Sequence, residues 1–170
     1  MQFKVGDTVV HPSYGVGQIV EIEEKQLSAE AGPSLYYRGT FSAYPNTNVW
    51  TLVETDEGVG LRSVTTKRDL EQYRKTLKSR PVVKNDSSPQ QHASLNRRLR
   101  QGSFKTMCEV ARDLTIASWQ KPLGTMDSAV LKKTLESLLQ EWAVAAGISV
   151  DEATEEVKAL LCKPSEQQAS

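Results

Sequence analysis

The sequence predicts an α+β chain: a small β barrel or strongly bent sheet, followed by an all-helical domain of about four to five helices. Two patterns carry that reading. Up to Thr66, short β-branched and aromatic runs are separated by Gly/Pro turns. Beyond Thr66, apolar side chains recur at helical spacing between capping residues. The organisation reads as a β module over 1–66, a bridging helix over 67–80, a linker over 81–89, a helical domain over 90–163 and a disordered tail over 164–170.

Within the β module, Thr8-Val9-Val10 opens a strand and Pro12-Ser13-Tyr14-Gly15 turns it, because Pro fixes φ and Gly permits positive φ. The next strand runs from Val16 towards Lys25, and alternation places Val16, Gln18 and Val20 on one side and Gly17, Ile19 and Glu21 on the other. Leu27 to Ser34 is a loop. Leu35 to Phe41 is the following strand, Pro45 to Asn48 a turn, and Val49 to Val53 another strand. Asp56-Glu57-Gly58 turns the chain into a last strand over Val59 to Val64.

The helices follow. Thr66 caps a helix from Lys67 to Lys78 with Leu70, Tyr73 and Leu77 on one face. Val82 to Pro89 carries the turn-forming Asn85-Asp86-Ser87-Ser88. A helix over Gln90 to Arg100 closes at Gly102. Ser103 caps the next, with Met107, Val110, Ala111 and Leu114 as its apolar stripe, and Lys121-Pro122-Leu123-Gly124 breaks it. Asp127 caps a long helix with Leu131, Leu135, Leu138, Leu139 and Trp142 inward and Gly147 just past its end. Ser149 and Glu152 make a capping box for a final helix burying Val157, Leu160 and Leu161.

Composition bounds the function. There are 21 Lys+Arg and 21 Asp+Glu, so the formal net charge is zero. By segment the balance is uneven: −4 over 1–66, +4 over 67–80, +5 over 81–133 and −5 over 134–170. The +9 middle has the asymmetry of a chain that meets a polyanion, and equally of ordinary helices with solvated basic faces. No run of 18 apolar residues exists for a membrane span, and the N-terminus lacks the basic-then-apolar pattern of a signal peptide, so a cytoplasmic protein is expected. Two cysteines cannot build a disulfide framework or a four-ligand zinc site.

Enzyme chemistry finds little support, and no catalytic residue, cofactor or metal site is assigned. His11 and His92 are the only histidines, and neither has a second at ligand spacing. Cys108 and Cys162 lie on apolar helix faces, where a cysteine behaves as a small hydrophobe. Gly15-Val16-Gly17 lacks the third glycine of a dinucleotide loop, and no phosphate-binding G-x-x-x-x-G-K-[ST] occurs. A binding module fits better. Tyr14, Tyr36, Tyr37 and Trp50 could form an aromatic surface, or in a minor reading a cage for a methylated side chain, although alternation predicts about half of them inside. A free strand edge suits pairing with a partner strand, with Arg38 and Trp50 as anchors. For a phosphate backbone the candidates are Arg97, Arg98, Arg100, Lys105, Lys132 and Lys133, near helix N-termini at Ser103 and Asp127.

Three blocks then resemble a known family. Phe3-Lys4-Val5-Gly6-Asp7-Thr8-Val9-Val10-His11-Pro12-Ser13-Tyr14-Gly15-Val16 resembles the opening block of the CarD/CdnL/TRCF family of bacterial RNA polymerase-binding regulators, and Ile22-Glu23 fits the end of its second strand. Val59-Gly60-Leu61-Arg62 is similar to the segment closing its β module, and Glu109-Val110-Ala111-Arg112-Asp113-Leu114 to the V-V-R-D-L block of its helical domain. The resemblance implies a Tudor-like N-terminal domain that binds the beta1 lobe of the polymerase beta subunit by adding a strand. It also implies a helical domain that contacts promoter DNA at the edge of the transcription bubble, in a monomeric, nucleoid-associated protein that modulates open-complex stability. It places Lys25 and Trp50 at polymerase-facing positions, the second of which is usually Arg. The candidate docking set is therefore Lys25, Arg38, Val49, Trp50 and Thr51.

The chain departs from the family pattern where the helical domain begins. Aligned on the R-D-L block, Ser88 stands where the family's wedge tryptophan would be, and Gln90-Gln91 where it has a basic pair. An adaptor of the same fold that binds polymerase or another protein but not DNA is the alternative expectation.

Overall fold

A computed structural model describes residues 2–54, 60–80 and 89–163, with Pro89 described by its backbone alone. The turn at 56–58, Val59, the linker over 81–88 with Ser88, and the tail over 164–170 lie outside the described residues. The chain forms two compact units that divide between Val64 and Thr65, with residues 100–102 grouped with the first.

The first unit is an antiparallel sheet of β1 (Thr8–His11), β2 (Gly15–Lys25), β3 (Ser34–Phe41), β4 (Tyr44–Leu52) and β5 (Arg62–Ser63), in the spatial order β4-β3-β2-β1-β5. Among the described residues β4 and β5 are not paired with each other, so there the sheet is open at both edges. Two expected boundaries move. Pro45 to Asn48 is part of β4, because the chain reverses in the shorter turn at Ser42-Ala43. A proline is tolerated there because β4 is an edge strand. The last strand is only Arg62–Ser63, paired with Val10 and Val9 of β1.

The expected alternation along β2 is also corrected. Gln18 is exposed while Ile19 is buried, and a β-bulge lies between Ile19 and Glu21. The extra residue, Val20, reverses the parity of everything after it. Ile19 and Ile22 therefore both belong to the core with Phe3, Val9 and Tyr37, and Val53 and Leu61 pack against it. Phe41 lies over Gly17 of β2 and Gly39 of β3. A Cβ at Gly17 would fall 2.7 Å from Phe41 Cε1 and 2.5 Å from the backbone oxygen of Thr40.

The second unit holds α1 (Leu70–Lys78), α2 (Pro89–Arg100) except its last residue, α3 (Phe104–Gln120), α4 (Thr125–Ala146) and α5 (Val150–Leu161). α1 starts later than expected: residues 67–69 are a turn in which Thr66 Oγ1 accepts from the Asp69 N–H at 3.1 Å. It is part of the helical core, with Leu70 and Leu77 fully buried. α2 opens at Pro89, where a missing N–H costs nothing at a first helical position. Asp127 does not cap α4; Gly124 holds that place and the Asp127 carboxylate meets His92 Nδ1 of α2 at 3.1 Å.

The helical core is bound together by Trp142. It is fully buried, its indole N–H donates to Glu156 Oε2 at 3.1 Å, and Arg74 Nε donates to Glu156 Oε1 at 2.6 Å. One carboxylate thus joins α1, α4 and α5. Arg80 joins the helix ends, donating to the carbonyls of Leu77 and Cys162 at 2.9 Å each and lying over the Trp119 ring. A cation at two helix C-termini also opposes their dipoles. Gly147 ends α4 with φ 70°, a left-handed conformation that lets Ile148 N–H reach the Ala143 carbonyl at 3.0 Å. The Ser149–Glu152 capping box starts α5 as expected.

Two outcomes follow for stability. Gly17→Ala lowers stability by about 1–3 kcal/mol, since the neighbour includes backbone and cannot all move away; thermal unfolding of the full chain reads this as a lower Tm. The Ser149 cap holds the Glu152 carboxyl below its ordinary pKa. The box therefore stabilises above the unfolded carboxyl pKa and loses that contribution as pH falls through the lower folded one. Glu152→Gln, which keeps the shape of the box and removes the carboxylate charge that Ser149 N–H stabilises, should cost Tm at neutral pH, and the difference from the parent should shrink as the solution is acidified through that range.

Candidate functional site

The bulge in β2 sets up the face that the docking candidates share. Past it, Glu21 pairs with Arg38 and Arg38 with Trp50; Glu23 pairs with Tyr36 and Tyr36 with Leu52. Directly paired residues project from the same side of a sheet. One face therefore carries Glu21, Glu23, Lys25, Arg38, Trp50 and Leu52 with Tyr36 buried among them, and the other carries Ile22, Tyr37 and Thr51.

The polar side chains on this face hold one another. Arg38 Nε donates to Glu21 Oε2 at 3.1 Å and Arg38 Nη1 to Asn48 Oδ1 at 3.2 Å. The Trp50 indole N–H donates to Glu23 Oε1, and the Lys25 ammonium lies 3.5 Å from the centre of the Trp50 ring. Glu23 is also 4.0 Å from both Lys25 Nζ and Arg38 Nε. Trp50 is thus fixed by a carboxylate at its edge and a cation on one ring face, yet 38% of it stays exposed. Fixing an aromatic side chain before a partner arrives removes an ordering cost from association.

β4 is also the chemically open edge of the sheet. It contains no charged residue. Natural sheet edges are usually protected by charge, bulges or cover. Val53 N–H donates to the Leu35 carbonyl at 3.0 Å, which makes 53/35, 51/37 and 49/39 the hydrogen-bonded pairs of the β3–β4 ladder. The N–H and C=O groups of Asn48, Trp50 and Leu52 therefore point outward, and Trp50 and Leu52 are exposed beside them. Lys25, Arg38 and Trp50 converge. Val49 and Thr51 do not join them: they belong to the ladder, and Thr51 is buried. Leu52 and the two glutamates were missed because their placement depends on the bulge and the register.

The proposed aromatic cage is not assembled. Tyr36 and Tyr37 are buried, and Tyr14 stacks with His11, Phe41 and Tyr44. His11 belongs to that cluster, where its Nδ1 accepts from Ser13 N–H at 3.0 Å and burial lowers its pKa. Cys108 is fully buried, and its burial together with Glu141 and Glu109 pushes the thiol far above its ordinary pKa, so it is no thiolate nucleophile.

Arg97, Arg98 and Arg100 are exposed at the end of α2, Lys105 on the first turn of α3, and Lys132 and Lys133 on the second and third turns of α4. Glu109 lies 3.2 Å from Arg98 and 4.0 Å from Lys105, which partly neutralises both. The position aligned with the wedge, Ser88, lies outside the described residues.

Comparison with known proteins agrees with both units. Residues 3–38 match the model of the CarD-like/TRCF RID domain, and residues 72–158 match that of the CarD C-terminal domain. A Bacillus subtilis (strain 168) protein named "Putative transcription factor YdeB" is 25% identical over 149 residues, covering 86% of this chain and 94% of that protein. Among the described residues, no helix is long and apolar enough to cross a membrane. With the C-terminal model spanning half of the chain and the RID model preceding it in order, the chain belongs to the CarD family, whose members are transcription regulatory factors tied to RNA polymerase, not enzymes.

Proposed function

We propose that the chain docks on the RNA polymerase beta subunit through the outer edge of β4 and grips promoter DNA through its helical unit, thereby modulating open-complex stability. The single observation that supports docking is the junction of an uncharged edge strand with the Trp50 face: outward main-chain groups at Asn48, Trp50 and Leu52, and anchors already fixed by Glu21 and Glu23. Such an edge supplies main-chain affinity, and exposed side chains flanking it supply selectivity. Lys25 and Arg38 enter as partners of Trp50 and Glu21 in this reading, so apolar contact through Trp50 and Leu52 carries more of the affinity than charge. DNA contact is assigned to Arg97, Arg98, Arg100, Lys105, Lys132 and Lys133, all exposed and suited to backbone contact.

A second reading, a polymerase-binding adaptor without DNA contact, is favoured by one observation: Glu109 engages Arg98 and Lys105 within the protein.

The full chain should bind the isolated beta1 lobe, and Trp50→Ala should weaken that binding about tenfold or more, the loss typical of a central aromatic anchor. An unaffected Trp50→Ala complex would move the docking site off β4. Replacing Arg97, Arg98 and Arg100 by Ala should weaken binding to duplex DNA uniformly across sequences and reduce its salt dependence. An open-promoter lifetime that does not change on adding the polymerase-bound protein selects the adaptor.

A further inference from the structure

We propose that the exposed face of α1, with the turn before it, is a second surface for the phosphate backbone of DNA, formed by Lys67, Arg68, Lys75 and Lys78. The proposal extends DNA contact to a helix outside the candidate set above, and it stands or falls separately from that set.

Helical geometry groups the residues. Leu70 and Leu77 are fully buried and fix the inward side of α1. At 100° per residue, Lys75 lies about 140° from Leu70, and Lys78 is one turn further along the same flank. Lys67 and Arg68 lie in the turn that leads into the helix. All four basic residues are exposed.

Like Arg97, Lys132 and Lys133, they have no ion-pair partner among the described residues, whereas several other cations of the helical unit are engaged internally. Arg74 is held by Glu71 and Glu156, Arg98 and Lys105 by Glu109, and Arg112 by Asp113. Lys67, Arg68, Lys75 and Lys78 take part in no ion pair among the described residues. Glu71, the acid on the same flank, is engaged with Arg74. Segment arithmetic put +4 on residues 67–80; the structure places its uncompensated part outward.

The face also indicates what kind of partner it fits. No large apolar side chain is exposed between Thr65 and Arg80. A protein interface of useful affinity centres on aromatic or apolar anchors, and this face has none. Exposed cations without an apolar anchor suit a polyanion held by charge and by release of its counterions.

The test uses the full chain and a short duplex of mixed sequence, titrated across a range of salt. The variant Lys67→Gln, Arg68→Gln, Lys75→Gln, Lys78→Gln should bind about tenfold or more weakly near ~0.1 M salt, and its log–log salt slope should be shallower by about 2–3, as expected for about three lost phosphate contacts. Lys75→Arg with Lys78→Arg should bind like the parent, and Lys75→Glu alone should weaken binding while leaving the Tm unchanged. Parental affinity and slope in the quadruple variant overturn the proposal. If in that case the Arg97, Arg98 and Arg100 variant loses binding, the grip belongs to α2 and the earlier assignment survives. If only the quadruple variant loses binding, α1 holds the backbone and the earlier residues do not. A parent chain without salt-dependent duplex binding overturns both.

Discussion

The extra residue at Val20 determines what the N-terminal sheet shows to solvent. Side chains in a strand alternate, so inserting one residue exchanges the two faces for the rest of the strand. Without the bulge, Glu21 and Glu23 would share the face of Ile19, which is almost wholly buried. Two carboxylates would then point at Phe3, Val9 and Tyr37, and Ile22 would point at water. With it, Ile19 and Ile22 both reach the core, and Glu21, Glu23 and Lys25 stand beside Arg38 and Trp50. The hydrophobic demand of the core and the polar support of Trp50 are met by the same irregularity. Gly17 and Gly39 complete the arrangement from the other side, because Phe41 lies where their side chains would be.

The helical unit solves a different problem, the burial of polar groups among apolar helices. Glu141 is fully buried and its Oε1 accepts from the Thr65 N–H at 2.9 Å, just where the chain enters the unit. Glu156 receives Trp142 and Arg74, and Arg112 reaches Ser79 Oγ at 2.7 Å and the Thr76 carbonyl at 3.3 Å. Removing one member of such a set leaves its partner buried without compensation, which costs more than the contact itself is worth. These arginines are therefore structural, and their charge is not on offer to a partner.

Much of this was legible in the sequence, for identifiable reasons. The helices, the Ser149–Glu152 box and Gly147 were readable because caps and 3.6-residue periodicity are local signals. The turn at Pro45 was misplaced because its residues favour turns anywhere, whereas an edge strand accepts them only in a tertiary context. Asp127 read as a cap because its type suits one, but its geometry sends it to His92. At the candidate site, Trp50 and Arg38 were visible by residue type. Their convergence with Glu21, Glu23 and Leu52 depends on cross-strand register, which one strand's sequence does not encode. Val49 and Thr51 were grouped with Trp50 by adjacency, although neighbours in a strand point to opposite faces.

Charge shows the same dependence on structure. A net charge of zero weighs all 42 Lys, Arg, Asp and Glu residues equally, but a partner meets only those left outside internal pairs. Arg38, Arg74 and Arg112 are each paired within their own unit. Two of the sheet's acids are likewise engaged: Glu21 and Glu23 neutralise the cations beside Trp50. The docking face is thereby close to neutral although its segment is acidic, and the outward side of α1 is cationic although the chain is neutral. Long-range attraction to a polyanion then acts mainly on the helical unit and is screened by salt. At the proposed docking edge, β4, short-range apolar and main-chain contact would dominate, and salt would affect it little. On the proposed function, two attachments of such different physical character can be varied independently, so the affinity for one proposed partner places no constraint on the affinity for the other.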